Sequence, residues 1–212
     1  PGHGQSSWQP VTLGQMAADL KQIINQLELT RFNIVASSFG GLVALELKRL
    51  MPEDVSRISF VGSLPKFARS DIYPAGLDIE NIRKLSHQFA GDYSMVLDMF
   101  FRSLFTMKER ALSNFKSFKD FRATEMLPHR EALLHYLDIL EKTDLRDRIS
   151  AMNCPVQYIT GEGDYICPRA VMDWIQEHAP NARLDFIKDG GHLPFLTFAD
   201  QYNELLENFL IN

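Results

Sequence analysis

Several things are scarce in this chain of 212 residues, and each scarcity removes a class of protein. There are two cysteines, Cys154 and Cys167, too few for a disulfide framework. No apolar run approaches the roughly 20 residues that a helix needs to cross a bilayer. Lysine and arginine never gather into a basic run, and the net charge of -5 is mild, so a nucleic-acid partner is not expected. No histidine pair and no Cys/His cluster has ligand spacing, so neither a metal nor a cofactor is expected. Internal repeats and low-complexity tracts are missing too. Few cysteines, eight methionines and no signal-peptide pattern make a reducing cytoplasm the expected setting, with no membrane partner. Apolar residues make up 45% of the chain, enough for one sizeable core at a length that suits one domain with an insertion.

The stretch that organises the rest is Arg31-Phe32-Asn33-Ile34-Val35-Ala36-Ser37-Ser38-Phe39-Gly40-Gly41-Leu42. Its first half is apolar and β-prone, and its end opens an amphipathic helix. Between them lies a serine with small residues two positions away on each side. A sharp strand-to-helix turn that lifts a serine hydroxyl out of a sheet needs this layout. Ala36 and Gly40 meet the need for Ser38, whereas Val35 and Phe39 would crowd Ser37. Ser38 is therefore the candidate nucleophile, in an A-x-S-x-G variant of the usual G-x-S-x-G.

Around this turn the chain alternates. Residues 12–27 read as a helix, with Thr12 and Gln15 as a capping-box pair and Leu13, Met16, Ala17, Leu20, Ile23, Ile24 and Leu27 on one face. Residues 31–36 are a strand, 40–51 a helix, and 55–63 a strand apolar enough to be buried on both faces. From about 68 to 148 no strand is evident, and four helices are expected, near residues 77–89, 95–104, 110–121 and 130–140. This block is rich in Phe and Met, which suits an adaptable apolar wall over a substrate. The alternation then resumes with a strand at 155–160, a helix at 168–178, a strand at 183–187 and a helix at 198–210. The expected organisation is thus a core in two parts, residues 1–67 and 149–212, with a helical cap, residues 68–148, inserted between them. Trp8 and Trp174 receive no role.

The strand at 155–160 runs into Gly161-Glu162-Gly163-Asp164, and the strand at 183–187 runs into Lys188-Asp189-Gly190-Gly191-His192. Functional groups collect just past the carboxyl ends of parallel strands. Alone, Asp164 could be a turn cap and His192 an idle loop histidine. The order Ser38, Asp164, His192 changes that balance. It is the chain order of one Ser-Asp-His triad, with each member after a strand.

On these motifs the chain resembles the α/β-hydrolase family along essentially its full length. Its opening Pro1-Gly2-His3-Gly4-Gln5-Ser6 is similar to a turn that follows the family's fourth strand. The doubled glycine after the elbow, the segment Leu140-Glu141-Lys142-Thr143-Asp144-Leu145-Arg146, the segment Gly191-His192-Leu193-Pro194-Phe195 and the Phe/Met-rich cap resemble the methyl ester esterases of biotin synthesis. Those act on a pimeloyl chain borne by acyl-carrier protein. The resemblance implies an α/β-hydrolase fold, a mostly parallel sheet flanked by helices. It also implies a serine carboxylesterase with Ser38, His192 and Asp164 as catalytic residues and the Phe39 N–H as one oxyanion donor. Phe39, Met99, Phe100, Phe101, Leu104 and Leu193 would contact the acyl chain. Arg102, Lys108, Arg110, Lys116, Lys119 and Arg122 would form a basic dock for the acidic carrier, diluted by Asp98, Glu109 and Asp120.

The resemblance further implies strands 1 to 4 and a second oxyanion donor ahead of Pro1. Without them the elbow strand keeps an unpaired edge, so about 60 to 70 preceding residues are expected in the native polypeptide. Other readings on the same fold are a broad short-chain carboxylesterase, a C–C bond hydrolase or an aminopeptidase. A non-catalytic binding protein is the reading from another class.

Overall fold

The computed structural model describes residues 1–89, 91 and 93–211. Helix α1 (Leu13–Gln26) starts at Thr12, whose Oγ1 accepts the Gln15 N–H at 3.1 Å. Only this half of the expected capping box forms, because the Gln15 side chain donates to Asp19 instead. Strand β1 (Phe32–Ser37) leads into helix α2 (Gly40–Leu50), and β2 (Val55–Val61) follows. Four helices come next: α3 (Ile79–Phe89), α4 (Tyr93–Ser103), α5 (Ser113–Thr124) and α6 (Arg130–Lys142). A short 3₁₀ turn at Glu109–Ala111 precedes α5. The five-residue α7 (Arg146–Ser150) leads to β3 (Val156–Gly161), α8 (Arg169–His178), β4 (Arg183–Ile187), the four-residue α9 (Pro194–Thr197) and α10 (Ala199–Ile211).

The four strands form one parallel sheet in sequential order β1-β2-β3-β4. Parallel sheets need cover on both faces, because each crossover lays a helix on one of them. Ile58 and Phe60 of β2 and Val156 and Tyr158 of β3 face one core, shared with Leu42 and Leu45 of α2 and Val171 and Ile175 of α8. Val61, Ile159 and Ile187 face the other core, closed by Tyr202 of α10. The two-residue repeat of a strand sorts these side chains. On the α10 side a polar ladder joins three strands. Ser59 donates to Gln157, and Gln157 donates to Asp185 and to the Leu205 carbonyl.

The helices after β2 make a separate small cluster around Phe89, Val96 and Leu97, packed by Leu133, Leu134 and Leu137. Residues 1–11 lie along α6. The His129 N–H donates to the Gly2 carbonyl, Tyr136 Oη to the Pro1 carbonyl, and His135 Nε2 lies 2.7 Å from the Val11 carbonyl. Trp8 packs edge-on against His135 and Tyr136, which gives it a place unforeseen from sequence. Trp174 stacks on His178 and meets Tyr73 edge-on. Among the described residues β1 pairs with β2 alone, and Val35 is 48% exposed.

Candidate active site

Three strand ends supply the site. At the end of β1 the chain turns through Ser38, which has φ of 50°. A non-glycine residue in the left-handed region is held there by its surroundings. The Ser38 N–H donates to the Val61 carbonyl at 2.9 Å, and the Ser63 hydroxyl donates to the Ser38 carbonyl at 2.8 Å. Helix α2 begins directly afterwards, so its amino-terminal end underlies the serine. The Phe39 N–H has no acceptor among the described residues.

At the end of β3 the turn Gly161–Asp164 aims a carboxylate inward. Asp164 Oδ1 accepts the N–H groups of Ile166 at 2.8 Å and Cys167 at 3.0 Å. These two bonds fix the rotamer and leave Oδ2 for His192 Nδ1, 2.8 Å away. After β4, His192 Nε2 stands 2.9 Å from Ser38 Oγ. With a carboxylate accepting at Nδ1, that nitrogen carries the proton and Nε2 is free to accept from the serine hydroxyl. Asp164 and His192 are both buried, while the serine faces a cleft. The structure thus brings together Ser38, Asp164 and His192, the three residues singled out from their order.

The cleft has a volume of about 1050 Å³ and is mostly apolar. Phe39, Phe100 and Phe101 line it, as expected. Met99, Leu104 and Leu193 do not. Met99 points outward from α4, 61% exposed, because Val96, Leu97, Phe100 and Phe101 occupy the helix's inner side. Leu104 is buried in the core, and its carbonyl accepts the His192 N–H at 2.8 Å. Leu193 precedes α9 and packs toward the main core. Wall residues not foreseen include Leu97, Leu133, Tyr136, Leu137 and Leu140. The Tyr136 ring lies 5.2 Å from that of Phe39.

The six basic residues of the expected dock divide. Arg102, Lys108, Lys116 and Lys119 are exposed. Lys108 pairs with Asp189 at 2.6 Å. Arg110 donates to the Arg102 carbonyl. Arg122 is drawn into the cleft wall, its guanidinium 3.6 Å from the centre of the Phe101 ring. Glu109 does not dilute a surface patch, since it is fully buried.

Steric demand also falls differently from the expectation. A Cβ at Gly40 would meet nothing within 4 Å, whereas one at Gly41 would lie 1.8 Å from Ser63 Oγ. Gly62, with φ of 53°, leaves room for the imidazole, since a Cβ there would be 2.9 Å from His192 Nδ1. Neither demand could be read from sequence, because each involves a partner on another segment. Ligand-type atoms of Asp164, Cys167 and His192 lie within 4.8 Å of one another. Burial, reinforced by the Asp164 charge, pushes the Cys167 thiol well up from its ordinary value.

Comparison with known proteins agrees with the fold. The family described as alpha/beta hydrolase fold matches residues 1–199. A pimeloyl-[acyl-carrier protein] methyl ester esterase of Nitrosomonas europaea is 30% identical over 202 residues, 95% of this chain and 79% of that protein. One from Xanthomonas campestris pv. campestris is 32% identical over 176 residues, 83% of this chain and 69% of its own. Among solved structures, a bromoperoxidase from Bacillus anthracis superposes with a TM-score of 0.88 at 27% identity, over the whole of this chain and 79% of that one. An esterase from Exiguobacterium antarcticum gives the same TM-score at 22% identity, with the same coverage, and speaks for the fold alone. A parallel sheet flanked by helices, a serine turn after one strand, an acid and a histidine after two later ones, and a match over nearly all its length lead to one conclusion: the chain belongs to the alpha/beta hydrolase fold family.

Proposed function

We propose that the protein is a serine carboxylesterase that hydrolyses the methyl ester of a pimeloyl chain carried by acyl-carrier protein. The observation that carries the chemistry is the unbroken relay from Ser38 Oγ to His192 Nε2 at 2.9 Å and from His192 Nδ1 to Asp164 Oδ2 at 2.8 Å, opening on an apolar cleft. His192 takes the hydroxyl proton as Ser38 Oγ attacks the ester carbonyl. The developing oxyanion meets the Phe39 N–H at the start of α2. Asp164 holds the imidazole tautomer and stabilises its cation. His192 then gives the proton to the leaving methoxide, and methanol departs. Water attacks the acyl-serine with His192 again as base, and the free acid leaves.

The substrate half of the proposal rests on the names of the relatives together with the wall of the cleft. Leu97, Phe100, Phe101, Leu133 and Leu137 offer an apolar path of the kind a methylene chain fills. Arg102, Lys116 and Lys119 remain as exposed cations on the cap, where an acidic carrier would rest. The test compares the carrier-linked methyl ester with a small soluble ester. Wild type turns over both, and Ser38→Ala neither. Reversing Arg102, Lys116 and Lys119 to Glu lowers turnover of the carrier-linked ester at least tenfold and leaves the small ester within about twofold. Equal loss on both esters would remove the docking proposal and keep the triad.

A further inference from the structure

His192 is placed by more than Asp164. Its loop is also held by residues 104–109, the connection from α4 into the 3₁₀ turn ahead of α5. The His192 N–H donates to the Leu104 carbonyl at 2.8 Å, and Thr106 Oγ1 donates to the Asp189 carbonyl at 2.9 Å. The knot of this connection is Glu109, at 0% exposure. Its Oε2 accepts the Thr106 N–H at 2.6 Å, and its Oε1 accepts the Thr197 hydroxyl at 2.6 Å, across 88 residues of chain. Thr197 ends α9, the short helix that begins two residues after His192. The carboxyl group also lies against the backbone of Gly191, where a Cβ would come 2.7 Å from Oε2 and 2.5 Å from the Leu104 carbonyl oxygen. So His192 sits between two fixed points, Leu104 on its N-terminal side and Thr197 beyond it. Among the described residues no basic side chain pairs with Glu109. A carboxyl buried without a cation costs folding energy unless its hydrogen bonds are held. Its two oxygens are used in joining Thr106 to Thr197.

We propose that Glu109 is a positioning residue for His192. By joining Thr106 to Thr197 it sets the imidazole's height over Ser38, and it ties that height to the helical cap to which the connection belongs. The inference rests on the triad reading above. Displacement of a reacting group by about 1 Å costs on the order of a hundredfold in rate. Binding of ester in the cleft draws on other residues, so the effect belongs in kcat.

The test uses Thr197→Val, which keeps side-chain shape and deletes the hydroxyl, and Thr197→Ser, which keeps the hydroxyl. Hydrolysis of p-nitrophenyl acetate and the rate of fluorophosphonate labelling of Ser38 are measured below the melting transition of each variant. Thr197→Val is expected to lose about tenfold to a hundredfold in kcat with KM within about twofold, to slow labelling by the same factor, and Thr197→Ser to recover most of both. If Thr197→Val does not fold, Glu109→Gln is read in its place, with a fall in kcat at constant KM again expected. A kcat within about threefold of wild type, or a loss expressed in KM, would overturn the inference. Wild type that fails to label at all is a different result, and it would overturn the triad reading as well.

Discussion

A methyl group added at Gly62 would stand 2.9 Å from His192 Nδ1, on a backbone with φ of 53° that side chains rarely adopt. Gly62→Ala is expected to displace the imidazole and lower kcat by about a hundredfold, with steady-state kinetics on a soluble ester as the check. The two glycines of the elbow separate in the same way. Gly41→Ala would drive a Cβ into Ser63, whose hydroxyl holds the Ser38 carbonyl, and is expected to cost both stability and activity. Gly40→Ala meets open space at the first turn of α2 and is expected to raise the melting temperature slightly, since alanine favours the helix by about 0.5–1 kcal/mol. Thermal melts of the pair would check this. Sequence made the small residues near Ser38 visible but not which of them has a neighbour. Asp164 and His192 were legible because each follows a strand and both sit in glycine-rich turns. Glu109 was not, since its partner Thr197 lies 88 positions on. An acid among lysines reads as surface charge.

Among the elements, those with a long apolar face were legible and the short ones were not. The four strands and the helices flanking them fall within a few residues of the expected spans. The five residues of α7 and the four of α9 complete too little of a helical period to leave a pattern. In α5 no residue is fully buried, and its expected start slips from Arg110 to Ser113 because the chain first makes the turn that buries Glu109. The connection from α6 into α7 is held by charge. Asp144 pairs with Arg146 and with Lys66, the Leu145 N–H donates to the Pro65 carbonyl, and Arg146 covers the Tyr73 ring. Hydrogen bonds from Arg146 first, then from Lys66, hold the Asp144 carboxyl well below the usual carboxylate range against the opposing effect of burial. A depressed folded-state value means that the stabilisation is complete above the unfolded value of about 4 and is lost as pH falls through the folded one. Asp144→Asn is therefore expected to melt below wild type at pH 7, with the gap closing as pH drops below about 4. Melting curves at several pH values measure this, and a gap independent of pH would count against it.

For the molecule as a whole, the sequential order β1-β2-β3-β4 leaves β1 with one open edge among the described residues, and Val35 half exposed beside it. An open, apolar edge is a template for pairing with another strand. The polypeptide of these 212 residues is expected to self-associate as its concentration rises, and Val35→Lys to reduce that association, as sedimentation velocity would show. No helix among the described residues is long and apolar enough to cross a membrane. The topology has one more consequence, in the order of synthesis. The serine and its histidine are 154 residues apart, with the whole helical block and three strands between them. At about 5 to 20 residues per second, a ribosome that has made the serine needs about 8 to 30 s more to make the histidine. On the proposed triad, the elbow exists without its base during that interval, and no ester would be cut. Through the proposed triad, hydrolysis would begin only when β4 docks on β3, so a growing or truncated chain would be silent until the last strand of the sheet is in place.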